Sequence, residues 1–371
     1  MGSFGAMRVI LTTVITGLLI PFSSAAPQQL STTPPVQILG FADINYVETD
    51  RDIDEGFFLG QLVGHVSAGL SERVTLFNEV SVTARPDRYR IEVERLFLRY
   101  DFSDWLKVSG GRYHTPISYW NTAFHHGLWL QTTARRPEMI KFGTKLQPVH
   151  FVGLQIEGAF PTTPLGLAYA AGVGNGRAED IGRAGDSGDV NNHRAWLVNV
   201  FSRPLAIPYL RIGAAAYGDR ATTDDDIEFD ETIVSFHAVW LREDPEVAVE
   251  YARIAHEPRS DGETFDSDAY YVQVAYRLPG RGSPFKPYVR FEEVDVPDDD
   301  PLFAPFDLDY EGVVAGLRID FTTLAALKVE YRSEEFETNE RFGSLYVQAS
   351  LAFGQTGGTV PAMESVTGVR P

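Results

Sequence analysis

Three of the eight histidines lie close together along the chain, at His114, His125 and His126. Imidazole nitrogens bind divalent transition metals, but only where several side chains converge on one point. Successive side chains of an extended chain point in opposite directions, so we expect His125 and His126 to diverge. The chain also has no cysteine that could supply a thiolate ligand. This pattern predicts neither a bound metal nor another cofactor.

Patterns typical of catalysis are missing from the sequence. No serine lies in a G-x-S-x-G motif, which would hold a nucleophile on a sharp turn. No spacing of carboxylates distinguishes one pair as a general acid and base. The chain carries 51 Asp and Glu against 32 Lys and Arg, a net charge of -19, and this charge repels nucleic-acid phosphates. We expect neither an enzyme nor a nucleic-acid-binding protein.

The acidic residues include two runs, Asp224–Asp226 and Asp298–Asp300. Solvated charge in surface loops is the simplest interpretation of these runs. In the alternative interpretation, their carboxylate oxygens share divalent cations with the phosphates of lipopolysaccharide.

The elements that would position these residues are β-strands. In GSLYVQASLAF, residues 343–353, apolar and polar residues alternate, so one face of the strand is apolar and the other is polar. Similar alternation recurs along the chain, without a helical segment of ordinary length. The predicted strands number sixteen and cover about 36–47, 56–70, 73–84, 89–102, 105–114, 147–160, 165–174, 194–203, 208–219, 231–242, 246–256, 268–279, 285–295, 309–321, 325–335 and 342–353.

The connections between these strands alternate in length. Tight ones such as 103–104 and 322–323 are separated mostly by longer, acidic or glycine-rich ones, and aromatic residues gather beside the tight turns. An up-and-down β-barrel in a membrane has short turns at one rim, longer loops at the other and an aromatic girdle. We therefore predict a closed transmembrane antiparallel barrel of about sixteen strands, rather than a soluble all-β protein.

The fourth predicted strand departs from simple alternation. Its later apolar residues share parity with the charged residues Arg90, Glu92 and Glu94. Either a β-bulge near Glu94 shifts the register, or the charged end stands above the bilayer. Arg112 in the next strand has the same ambiguity.

The ends of the chain differ in composition from the strands. A short apolar stretch after Arg8, followed by small residues, predicts a signal peptide over 1–25 with cleavage after Ala25. We expect an N-terminal periplasmic lead over 26–35, the barrel over 36–353 and a disordered tail over 354–371. Such a chain is exported across the inner membrane.

The non-lipid face of the predicted strands carries many charges. A barrel of about sixteen strands is wide enough for an aqueous channel, so these side chains are expected to line a wet pore and orient polar solutes. In the alternative interpretation they only neutralise one another. The predicted lining residues are Arg211, Glu250, Arg290, Glu292, Arg318, Lys328, Glu330 and Arg332.

The third connection, about 115–146, is long and contains apolar residues such as Trp120 and Trp129. Side chains of this kind are not expected in open water, so the loop is predicted to fold into the lumen and narrow it. Arg135, Arg136 and Lys141 would then lie near the constriction. A lid or a subunit-contact loop is the alternative.

Two motifs resemble those of bacterial outer-membrane porins. In GRYHTPISYWN, residues 111–121, the positions Gly111, Arg112, Thr115 and Pro116 match the segment that enters the third loop of porins related to the phosphate-selective class. The strand that ends at Phe353 resembles the aromatic-ended strand recognised by the barrel-assembly machinery. This resemblance implies a porin, often trimeric. It does not imply phosphate selectivity, because the lysine-rich lining of that class is missing.

The expected function is passive diffusion of small polar or charged solutes through a channel in the bacterial outer membrane. Expected partners are outer-membrane lipid, lipopolysaccharide, the barrel-assembly machinery, the solutes and two further copies in a homotrimer. A structural or adhesive barrel whose pore is closed by the third loop is the alternative. The sequence leaves open which solute passes and whether anions or cations are preferred.

Overall fold

The computed structural model describes residues 35–223, 227–260, 262–336 and 340–357. It contains one short helix, α1 (Tyr119–Ala123), and single 3-10 turns at Leu128–Leu130, Glu138–Ile140 and Gly280–Gly282. The strands are β1 Val36–Thr49, β2 Gly56–Gly69, β3 Val74–Ala84, β4 Tyr89–Ser103, β5 Leu106–His114, β6 His150–Phe160, β7 Leu167–Asn175, β8 Arg194–Ser202, β9 Leu210–Thr222, β10 Glu228–Trp240, β11 Glu246–Pro258, β12 Phe265–Ala275, β13 Phe285–Asp295, β14 Tyr310–Thr322, β15 Ala325–Phe336 and β16 Arg341–Gly357.

These sixteen strands form one closed antiparallel barrel in which each strand pairs with its neighbours in the sequence. The last strand, β16, closes the barrel by pairing with β1. Closure satisfies the backbone hydrogen bonds of both edges, which a sheet in hydrocarbon requires. We call the rim that holds the connection between β5 and β6 the loop end, and the opposite rim the turn end. The predicted up-and-down barrel is confirmed.

Side chains alternate between the lumen and the outer surface. On β16, Tyr346 and Gln348 are buried in the lumen, whereas Leu351 and Phe353 are exposed on the outside. This order, polar within and apolar without, is the reverse of that in a soluble barrel and matches a surface that contacts lipid. Along the described ranges, no helix is long and apolar enough to cross a membrane.

Aromatic side chains lie on the outer surface at the turn end, as the sequence predicts. Phe102, Trp105 and Phe321 are all exposed there, which is typical of the girdle of a membrane barrel. Phe201 is an exception that the sequence pattern places wrongly. It is buried in the lumen, where the guanidinium carbon of Arg211 lies 3.8 Å from its ring centroid.

The irregular parity of β4 comes from a β-bulge. Glu79 of β3 pairs with Arg95, and the next residue, Val80, pairs with Val93, so Glu94 is the extra residue. The bulge turns both Glu94 and Arg95 toward the lumen, since it shifts the alternation by one residue. Of the two explanations that the sequence allows, the bulge is therefore the correct one.

The barrel ends later than the sequence predicts. Strand β16 continues past Phe353 to Gly357, and this extension pairs with the start of β1, where Val36 opposes Gly357. The expected tail is therefore wrong for 354–357. The expected signal peptide (1–25), the lead up to residue 34, the acidic run 224–226 and the tail from 358 lie outside the described residues.

Candidate functional site

The third loop, residues 115–149 between β5 and β6, folds into the lumen as predicted. Its helix α1 begins after Ser118, whose hydroxyl oxygen accepts a hydrogen bond from the Asn121 N–H at 3.0 Å. The Asn121 side-chain amide donates to the carbonyl oxygens of Thr115 and Val149, each at 3.0 Å. One buried side chain therefore ties the two ends of the loop together.

The apolar part of this loop packs against the wall of the barrel. Trp120 is fully buried, and its ring lies 4.9 Å from that of Phe124 and 5.7 Å from that of Tyr271 on β12. Tyr119 stacks on His237 of β10 with ring centroids 5.7 Å apart. These contacts remove the large rings of the loop from water, which explains why an apolar segment connects two polar strand ends.

The wall beneath the loop carries carboxylates that accept hydrogen bonds from loop backbone N–H groups. The loop is irregular, so its backbone groups lack the partners that a helix or a sheet would supply. A buried carboxylate is a strong acceptor for such groups. These bonds run from Tyr119 N and Trp120 N to Glu250 (2.6 and 2.8 Å), from Ala134 N to Glu330 (2.8 Å) and from Glu138 N to Glu292 (2.6 Å).

Basic side chains of the same wall donate to loop carbonyl oxygens. Arg318 and Arg290 each bond two of them, and the buried Lys328 bonds a further two. The bonds run from Arg318 to Trp129 O and Gln131 O (2.7 Å each), from Arg290 to Arg135 O (3.2 Å) and Arg136 O (3.1 Å), and from Lys328 to Leu128 O and Thr133 O (3.0 Å for the latter). We call Glu250, Arg290, Glu292, Arg318, Lys328 and Glu330 the anchored wall.

The prediction that these wall charges face water is wrong. All six residues of the anchored wall point into the lumen, but each is buried beneath the loop. Arg332 is also fully buried and pairs with Glu292 at 2.6 Å and with Glu334 at 2.8 Å. Arg211 is buried against Phe201. The sequence identifies the inward face, but the loop covers it.

A cavity of about 790 Å³ lies on the side of the third loop that faces away from the anchored wall. It separates the loop from the inward side chains of β1, β2 and β4, and we call Asp43, Asn45, Gln61, Arg90 and Glu92 the open wall. Its described lining has eight basic and five acidic side chains, namely Arg85, Arg90, Arg112, Arg135, Arg136, Lys141, Lys145 and Arg183 against Asp43, Asp54, Glu92, Glu94 and Asp180.

The three basic loop residues predicted for the constriction all line this cavity. Arg135 donates to the Tyr346 hydroxyl at 2.6 Å, and Lys141 pairs with Glu138. Arg136 is buried, with its guanidinium carbon 4.1 Å from the Phe142 ring centroid, and burial lowers its pKa to about 9. Trp129 does not line the cavity. It lies on the side of the loop that faces the anchored wall, where the guanidinium carbon of Arg318 is 5.7 Å from its ring centroid.

The open wall was missed by the sequence reasoning, as were Arg95 and Arg99 of β4. These two arginines line a smaller cavity of about 70 Å³ together with Arg211. For β1 the sequence contained the necessary signal, because the polar residues Asp43 and Asn45 are two positions apart and therefore lie on the same face of the strand. For β4 the bulge hides it, because Arg95 and Arg99 share the parity of the exposed residues Ile91 and Val93 before the bulge. A regular strand extended from those residues would place both arginines on the lipid face.

The histidines also depart from expectation. The chain bends after α1, so His125 and His126 do not diverge, and their ring centroids are 4.6 Å apart. Together with His114 and His150, they form a cluster whose nearest nitrogens all lie within 4.8 Å of one another. Burial lowers the pKa of His125 well below its ordinary value, and the neighbouring histidines add to this effect. His125 is therefore neutral at pH 7.

Gly111, one of the positions in the porin-like motif, has a structural requirement for glycine. Its φ is 148°, and an added Cβ would lie 2.0 Å from the carbonyl oxygen of Leu96. The following residue, Arg112, points into the lumen and pairs with Asp186 at 2.7 Å. The motif thus shapes the strand at the point where it approaches the third loop.

Solved structures with this fold are outer-membrane proteins, although no protein-family model and no curated protein sequence matches the chain. An anion-selective porin from Comamonas acidovorans superposes with a TM-score of 0.63 at 10% identity, over 86% of this chain and 99% of that chain. The trimer form of OmpT from Vibrio cholerae gives 0.59 at 14%, over 87% and 100%. The outer membrane channel DcaP of Acinetobacter baumannii gives 0.57 at 11%, over 89% and 100%.

These superpositions establish the fold, which is that of porin-type barrels of the bacterial outer membrane. The closed barrel, its apolar outer surface and its aromatic girdle are the features that such a membrane requires. The chain therefore has the fold of a porin-type β-barrel, with an outer surface suited to a membrane.

Proposed function

We propose that this barrel is a passive diffusion channel for small charged solutes, with a preference for anions. The observation that carries the proposal is the cavity of about 790 Å³ between the third loop and the open wall. Most of the loop's hydrogen bonds to the strands run to the anchored wall, and the loop touches the open wall at His126, whose Nδ1 lies 3.2 Å from Oε1 of Gln61. Over the rest of that side the cavity separates the loop from the wall, and polar side chains line it.

The preference for anions rests on the charges of that lining. The lining has eight basic and five acidic side chains, in a chain whose total charge is -19. Two of these bases, Arg112 and Lys141, pair with acids outside the lining, so the local excess of positive charge is small. Several of the bases pair with acids, such as Arg90 with Glu92 at 2.8 Å. Arg135 instead bonds the neutral hydroxyl of Tyr346. Positive charge in a narrow passage with low-dielectric walls concentrates anions and repels cations.

The test is the reversal potential of single channels in planar bilayers under a salt gradient. The wild-type channel is expected to favour chloride over potassium. In the double variant Arg135→Ala/Arg136→Ala the permeability ratio should fall about two- to fivefold, because one unit charge at about 4 Å in water is worth about 1 kcal/mol. Arg253→Ala, which removes an arginine paired with Asp268 outside the cavity, is the matched control and should leave the ratio unchanged.

Two results would contradict the proposal. A folded barrel that carries no steady current would instead support a structural or adhesive barrel with a closed pore. A current whose ion preference does not respond to the loss of Arg135 and Arg136 would remove these residues from the passage. The expected homotrimer, lipopolysaccharide contacts and assembly by the barrel-assembly machinery stay predictions, and chemical crosslinking in outer membranes tests the first of them.

A further inference from the structure

Four histidines meet at the base of the third loop, and the proposed diffusion function uses none of them. His114 is the last residue of β5 and His150 is the first of β6, and the two are paired across the strands. His125 and His126 follow α1 in the loop. One ring nitrogen of each lies within 4.8 Å of the others, although 11 to 36 residues separate the three parts of the chain.

The Nε2 atoms of all four histidines are buried, and none has a hydrogen-bond partner of acceptable geometry among the described residues. His125 and His126 are only 2% and 4% exposed. Buried ring nitrogens in folded proteins nearly always have a partner, and leaving one unsatisfied costs about 1–3 kcal/mol. The Nε2 atoms of His126 and His150 lie within ion-pair distance of Glu94, and that of His114 lies near Glu79. The convergence of the four rings, with Nε2 of His125 left without a partner among the described residues, points to a shared ligand.

The hydrogen bonds behind the rings set the tautomer of His125. The Nδ2 of Asn121 donates to two backbone carbonyls, so its Oδ1 faces His125 and lies 2.5 Å from the ring Nδ1. An amide oxygen can only accept, so Nδ1 carries the proton and Nε2 presents a lone pair. Metal-ligating histidines are typically oriented in this way by a partner behind the ring.

His126 has a polar neighbour at each of its ring nitrogens. Its Nδ1 lies 3.2 Å from Oε1 of Gln61, whose Nε2 lies 3.1 Å from the Thr83 hydroxyl. Its Nε2 lies 3.3 Å from Oε2 of Glu94. Binding of a metal through this Nε2 would replace the contact with the carboxylate.

Two buried carboxylates lie against this cluster. Oε2 of Glu94 is 3.0 Å from Nε2 of His150 and 3.3 Å from Nε2 of His126, and Oε2 of Glu79 is 3.6 Å from Nε2 of His114. The bulge in β4 is what turns Glu94 toward the rings. Arg95 pairs with Glu79, and Arg112 lies 3.8 Å from Glu94. The four imidazoles are the candidate ligands, and the carboxylates would offset part of a bound positive charge.

We propose that His114, His125, His126 and His150 bind one divalent transition-metal cation of the zinc class. Zn²⁺ takes imidazole nitrogens at about 2.0–2.1 Å in tetrahedral geometry, with neighbouring ligand atoms about 3.3 Å apart. The nitrogens lie up to 4.8 Å apart, so the rings must close by up to about 1.5 Å to bind one ion. The stacked rings of His114 and His125 must also turn apart. Mg²⁺ and Ca²⁺ are disfavoured because they prefer oxygen ligands.

The position of the site suggests its effect. Two ligands lie on the strands at the ends of the loop, and two lie within the loop, so a bound ion links the loop to the barrel at a second place besides the anchored wall. Glu94 and His150 also line the cavity. The proposal does not depend on diffusion through that cavity, because metal binding is measured on the isolated protein.

The test is calorimetric titration of full-length, untagged protein in detergent with Zn²⁺, because a histidine tag would bind the ion itself. We expect one Zn²⁺ per chain, and no heat of binding with Mg²⁺. The double variant His125→Gln/His126→Gln should lose at least about 100-fold in affinity, since loss of a supporting partner alone costs 10–100-fold. The control His193→Gln, which changes a histidine outside the cluster, should bind like wild type.

The folded state of each variant is checked by circular dichroism, and X-ray absorption of the zinc-loaded wild type gives a second readout. The expected spectrum has imidazole scattering from three or four rings. Absence of zinc binding by the folded wild type overturns the proposal, as does wild-type affinity in a folded double variant. If the double variant does not fold, a wild-type spectrum without imidazole ligands overturns it equally.

Discussion

The two sides of the lumen carry similar residues and differ in what covers them. The anchored wall of β11 and β13–β15 and the open wall of β1, β2 and β4 both present inward Arg and Glu side chains. On the anchored wall these bond backbone groups of the third loop, whereas Arg90 and Glu92 of the open wall bond each other beside the cavity. The same residue types hold a loop on one side and face the cavity on the other.

The difference follows from the backbone of the loop. An irregular segment inside a barrel has N–H and C=O groups that need partners. Carboxylates such as Glu250 accept from the N–H groups, and bases such as Arg318 donate to the carbonyls. A wall of mixed charge can satisfy both kinds of group, which an apolar wall could not. Charge on this side is therefore structural.

The largest effect is expected from removing the acceptors of the anchored wall. In the triple variant Glu250→Gln/Glu292→Gln/Glu330→Gln, each site should lose about 1–3 kcal/mol, because backbone N–H groups lose charged acceptors. The loop should detach, so single-channel conductance rises, and proteases cut within 115–149. Glu293→Gln, one residue from Glu292 but on the other face of β13, is the control. Wild-type conductance in a folded triple variant would contradict the comparison.

A smaller effect on stability is expected when one lysine is removed from the anchored wall, or another from the side of the third loop that lines the cavity. Lys328 is fully buried and bonds Leu128 O, Thr133 O and Gln348, so Lys328→Met should lower the free energy of unfolding by about 1–3 kcal/mol. Lys145 lines the cavity and pairs with Asp180, an exposed residue, so Lys145→Met should cost less than about 1 kcal/mol. Urea unfolding in detergent measures both, and equal losses would remove the distinction between the walls.

The open wall should affect ion preference more than stability. Arg90→Ala is expected to lower the anion-to-cation permeability ratio and Glu92→Gln to raise it, because the two side chains have opposite charge at the cavity. Their half-exposed ion pair is worth less than about 1 kcal/mol. Reversal potentials and unfolding curves measured on the same preparations check this prediction. Shifts of the same sign in both variants would argue against a role for these charges in selectivity.

Salt should produce the smallest change, and only on the open side. Raising ionic strength from about 0.1 to 1 M shortens the Debye length from about 10 to 3 Å, which should weaken the anion preference. The bonds of the anchored wall are buried and should persist, so the resistance of the loop to proteolysis should not change. A loop that becomes cleavable at 1 M salt would show that its anchors are exposed.

Much of the fold could be predicted from the sequence. The strict alternation in 343–353 and its repetition along the chain gave sixteen strands in the right order, because every strand here has one lipid face and one lumen face. The bulge near Glu94 could also be predicted, because the charged residues before it and the apolar residues after it would otherwise share one face of the strand. The end of β16 at Gly357 could not, because its last residues are polar and small, and pairing with β1 extends the strand.

The candidate site was predicted less well, for a physical reason. Arg135, Arg136 and Lys141 line the cavity, since an apolar loop that folds inward carries its basic residues with it. Their place at a constriction stays a prediction. Arg290 and Lys328 were placed on the correct face but not in the correct surroundings. Periodicity reports which way a side chain points, and it carries no information about what lies opposite.

The sequence by itself determined the direction of each regular strand's side chains, and with it a closed barrel whose apolar face meets lipid. Local alternation suffices for that, because a strand has only two faces. Only the tertiary structure decided that most hydrogen bonds between the third loop and the strands run to β11–β15, and that a cavity lies between the loop and much of β1, β2 and β4. The tertiary structure alone also brought His114, His125, His126 and His150 together, since contacts across a lumen depend on the path of a loop that has no period.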